Sequence, residues 1–106
     1  MIINGVQWSI VFQNPNSINL MRSDGVMTLG VTDCRKGVIF LSSALKSAML
    51  ERVLTHEICH ACIFSYGIYL DLEEEERLCE FVAIHAREII NKAELFLKNR
   101  IEKGAV

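Results

Sequence analysis

The chain has 106 residues, 51% apolar and 23% charged, with 13 acidic against 11 basic side chains and a net charge of −2. That is the balance of one ordinary globular domain, residues 1–106, with a single core. It excludes a nucleic-acid surface, which needs a basic stripe to neutralise phosphates, and no run approaches the roughly 18 apolar residues of a membrane span.

The N-terminal MIINGVQWSI lacks the basic leader and cleavage site of a secretory signal, so a cytoplasmic protein is expected. Polar and apolar residues alternate over VQWSIVFQ (6–13), the period of a strand. NPNSINLMRSDG carries the Asn, Pro, Ser and Gly of a turn or one short helical turn. VMTLGVTD and GVIFLS, separated by CRK, then read as a hairpin. Trp8, Phe12 and Phe40 are the expected aromatic core. From Ser43 the period becomes helical: Ser42 or Ser43 can cap a helix reaching about Ser65, and Gly67 stops it. A second helix is predicted from about Asp71 past Phe96, its Glu-rich first turns suiting the positive end of the helix dipole. Strands first and helices after make an α+β fold: a small N-terminal antiparallel sheet of about three strands on two main helices.

The first helix contains LTHEICHACIF. Four residues along an α-helix turn the chain by about 40° and raise it about 6 Å, so His56 and His60 share a face and can reach one Zn²⁺. Glu57 lies about 100° round from His56. It is too far round to share the ion, but it is placed to take a proton from a water on the metal. Two histidines and a glutamate on an otherwise apolar helix would be costly to bury without such a partner.

A hydrolytic zinc site needs a third protein ligand. A third histidine six residues after His60 is excluded, because Tyr66 stands there and Ile63 holds the glycine position. His85 is about 180° away from Glu76 on its helix and faces elsewhere. The acidic run of the second helix is the better source. Glu76 and Glu80 share a face, with small Ala83 extending it. Glu76 is read as the ligand and Glu80 as the carboxylate orienting a ligand histidine, or as the alternative ligand. Glu73 to Glu75 are read as a solvated capping run. Tyr66 and Tyr69 are candidate oxyanion donors, against the plainer reading of tyrosines packing with their hydroxyls at the surface. Cys59 and Cys62 form C-x-x-C inside the helix. There cysteines pack as small apolar residues, with a structural zinc of three or four cysteines as the other reading.

HEICH followed by E-x-x-x-E in ERLCEFVA resembles the small metallopeptidase-like proteins of phages and mobile elements related to ImmA/IrrE, and more broadly the gluzincins. The likeness spans roughly Gly25 to Ile90. It implies a minimal zincin-like fold and a zinc held by His56, His60 and Glu76, with Glu80 where the family usually has Asp or Asn. Larger relatives carry a DNA-binding helix-turn-helix, for which this chain has no room. The implied activity is hydrolysis of a specific protein, such as a regulator of a mobile element. The residues by themselves point to metal-assisted hydrolysis with peptide as substrate. GVIFLS or VMTLGVTD could align such a peptide by strand addition. The alternative function is a weak or inactive zinc-binding module that binds a regulatory protein, and a third is a metal-free helical interaction protein. Ile89, Ala93, Phe96, Leu97 and Ile101 are more apolar surface than the zinc site needs, so packing on the sheet, a partner, or a homodimer through the C-terminal helix is expected.

Overall fold

The computed structural model describes residues 1–102. A two-stranded antiparallel ribbon, β1 (Ile2–Ile3) and β2 (Val6–Gln7), precedes a three-stranded sheet of β3 (Ser9–Gln13), β4 (Gly30–Asp33) and β5 (Val38–Ser42). Two helices follow, α1 (Ser47–Ser65) and α2 (Leu72–Glu102). The fold is α+β.

β5 is the central strand, and its unbroken apolar run VIFL is mostly buried, as a strand covered on both faces requires. It pairs antiparallel with β4, as the hairpin reading expects. Asp33 closes the turn by accepting from the amides of Arg35 and Lys36. On the other side β3 pairs parallel with β5, from Ser9 opposite Val38 to Gln13 opposite Ser42. The sheet is therefore mixed and not antiparallel throughout. Parallel neighbours need a long crossover, and residues 14–29 supply it through a short 3-10 turn at Ile18–Leu20 whose Leu20 is fully buried. That crossover delivers β4 to the far edge of β5.

Position on the sheet also corrects the aromatic core. Trp8 is fully buried, donates its indole N–H to Ser65 Oγ at 2.8 Å, and meets Phe64 edge-on at 6.0 Å. Phe40 is buried too, whereas Phe12, on edge strand β3, is 54% exposed.

α1 begins later than the serines suggest. Ser42 ends β5 and builds the turn out of it, its hydroxyl accepting from the Ala44 amide and its carbonyl from the Leu45 amide. Lys46 is left as the N-cap, without a side-chain cap bond. The far end is closed as expected: Gly67 at φ +66° lets its own amide reach the Phe64 carbonyl and that of Ile68 reach Ile63. α2 starts on Asp71, whose carboxylate accepts from the Glu74 amide at 2.8 Å. Its first half packs antiparallel to α1, and every described residue from Arg87 to Ile101 is exposed. No described helix is long and apolar enough to cross a membrane.

β4 and α1 touch where the site is built. A Cβ on Gly30 would lie 2.9 Å from Val53 Cγ1 and 3.0 Å from Glu57 Cγ. Gly30→Ala must push strand and helix apart, and it is expected to cost roughly 1–3 kcal/mol of stability, the range for overpacking. Equilibrium urea unfolding checks this; an unchanged midpoint would mean that the contact yields freely.

Candidate metal centre

α1 turns His56 and His60 toward α2, with the two rings 5.0 Å apart and the side chains 14% and 11% exposed. Between them stands Glu76, Oε2 at 3.3 Å from His56 Nε2 and Oε1 at 2.8 Å from His60 Nε2. One donor atom from each residue lies within 4.8 Å of the other two. Bonds of 2.0–2.2 Å in a tetrahedron set donor atoms about 3.3 Å apart, so these three could hold one ion with little movement.

The outward nitrogens have partners as well. His60 Nδ1 lies 2.5 Å from Glu75 Oε2, a hydrogen bond that leaves Nε2 directed at the centre. Glu75 is thus no member of a solvated run, and its side chain is only 26% exposed. A signal for it exists in the sequence. Cys79, uncharged in an acidic stretch, is fully buried and marks the inward face of α2, and Glu75 is one turn before it. Glu80 sits 3.8 Å from His56 Nδ1, beyond hydrogen-bond reach, and its Oε1 accepts from Arg52 Nε at 3.1 Å. It faces His56 as the helical phase suggests, but shares itself with an arginine.

Glu57 is 8% exposed and turned toward β4, where the Thr32 hydroxyl lies 2.9 Å from its Oε1 and 3.0 Å from its carbonyl oxygen. Burial raises its carboxyl above the ordinary glutamate range, against the opposing effects of the Thr32 bond and the two histidines. A carboxyl so shifted is a stronger base once ionised. Thr32, His56, Glu57, His60 and Glu76 border one cleft, whose wall on the sheet side is β4.

Other expected participants lie elsewhere. Tyr66, the C-cap of α1, and Tyr69, beyond the Gly67 turn, are 60% and 96% exposed and do not border the cleft. His85 lies against Phe81, ring centroids 4.8 Å apart and planes tilted by 45°, away from the centre. The cysteines are free thiols, and among the described residues His56, His60 and Glu76 form the one group placed to hold a metal ion. That removes the cysteine-zinc reading for this conformation and leaves Cys59, Cys62 and buried Cys79 as packing residues. As the central strand, β5 has no free edge for a peptide, whereas β4 has one. Comparison with protein-family models and with curated proteins gives no match for the chain.

Proposed function

We propose that the chain is a small zinc metallopeptidase that cleaves a specific protein. The observation that carries this is the convergence of two imidazoles and one carboxylate from separate helices, with buried Glu57 beside them. His56, His60 and Glu76 would hold the ion, Glu75 fixes the tautomer of His60, and Glu80 faces His56. Bound zinc would supply Lewis acidity toward a water and a peptide carbonyl. Glu57 accepts the proton of the attacking water and returns it to the leaving amine. Thr32 holds one of its oxygens, and the other is left for this exchange. The free edge of β4 would receive the substrate as an added strand, with main-chain hydrogen bonds setting its register. The resemblance of HEICH and the following acidic pair to ImmA/IrrE-like proteins agrees with this reading and suggests a regulator of a mobile element as substrate.

The same ligands would serve a binding module without turnover, so metal is tested first. Protein purified without added zinc is expected to carry about one Zn per chain. Because the ligands bridge α1 and α2, binding energy is folding energy. A chelator should therefore lower the thermal midpoint, and added zinc should restore it. Absence of zinc together with an unshifted midpoint would reduce the cluster to histidine–glutamate ion pairs and end both zinc readings.

A further inference from the structure

α2 continues well past the body of the protein. A helix rises about 1.5 Å per residue, so the segment beyond Arg87 extends more than 20 Å on its own. The face that packs on α1 through Cys79, Val82 and Ala83 does not end there. Ile89, Ile90, Ala93, Phe96, Leu97 and Ile101 prolong it as a stripe covering about 140° of the helix. These are 52% (Ile89), 56% (Ile90), 61% (Phe96), 54% (Leu97) and 63% (Ile101) exposed.

We infer that this stripe is the contact between two copies of the chain, paired helix to helix in antiparallel orientation. Area is the first argument. An apolar side chain offers on the order of 100–200 Å². At half to two-thirds exposure the stripe leaves about 400–600 Å² per copy, and a symmetric pair would bury about 800–1,200 Å², reaching the size of a small specific interface. A continuous patch of this size matches the largest that a typical monomer exposes, and such patches are often interaction surfaces. Self-pairing also needs no second surface: a two-fold axis sets the stripe on itself, and small Ala93 near its middle lets the backbones approach. Shape chooses the direction: antiparallel pairing places the two bodies at opposite ends of the helix pair, with both clefts open, whereas parallel pairing would crowd them side by side at one end.

Sedimentation velocity of the full chain over a concentration series tests this. A monomer–dimer equilibrium with a roughly micromolar midpoint is expected for an interface of this size. Phe96→Glu combined with Leu97→Glu should leave only monomer, with unchanged circular dichroism and zinc content, since both side chains stand clear of α1. Ile101→Lys, farther out, should weaken pairing in the same direction. A wild-type chain that stays monomeric up to about 0.5 mM, well above any useful dimer affinity, overturns the proposal. So does a double variant that dimerises as wild type does.

Discussion

Glu76→Gln is expected to remove most of the zinc affinity, whereas Glu75→Gln and Glu80→Gln reduce it by smaller and unequal amounts. Among the described residues, Glu76 is the carboxylate set between both Nε2 atoms, at 2.8 and 3.3 Å. An amide oxygen there keeps the shape but loses the charge that offsets a divalent ion. Glu75 acts through His60: its hydrogen bond to Nδ1 fixes ring orientation and basicity, and loss of such a partner costs roughly 10–100-fold in affinity. Glu80 is 3.8 Å from His56 Nδ1 and already engaged by Arg52, so its loss should fall at or below the bottom of that range. Competition titration with a chromophoric chelator gives the three values. The reverse order, with Glu80→Gln stripping the metal and Glu76→Gln retaining it, would exchange the two assignments.

The parts of this architecture that the sequence reveals are those set by spacing along one element. His56 and His60 share a face because a helix repeats every 3.6 residues. The β4–β5 hairpin is readable because its strands are neighbours with turn residues between them. Gly67 ends α1 because the chain must adopt positive φ there. What escapes depends on distant partners. Nothing near Ser9–Gln13 announces parallel pairing with a strand that begins at Val38. Phe12 has the residue type of a core position and the location of an edge. Ser42 has the chemistry of a helix cap, but is consumed by the turn that leaves β5. Glu75 looks like one of four equal glutamates until the packing of α2 on α1 singles out the ridge that also carries Cys79.

Those long-range placements also decide what Glu57 can do. Local sequence puts it one residue after His56; only the approach of β4, made possible by the bare backbone of Gly30, encloses it and gives it Thr32. Glu57→Gln is nearly isosteric and can still accept the Thr32 hydroxyl, so the variant is expected to fold and to retain zinc. It cannot take up a proton. Hydrolysis of a peptide substrate should fall by roughly 10²–10⁴-fold, the usual contribution of a positioned base. Zinc content and thermal midpoint are measured first, because a variant that expels the metal would place Glu57 among the ligands. Cleavage is then followed with an unstructured protein such as casein and with candidate regulatory proteins. Equal cleavage by wild type and variant would remove the general-base role. If neither cleaves any of them while both bind the same regulator with equal affinity, the cleft is a recognition site, and the zinc serves to fasten α1 to α2.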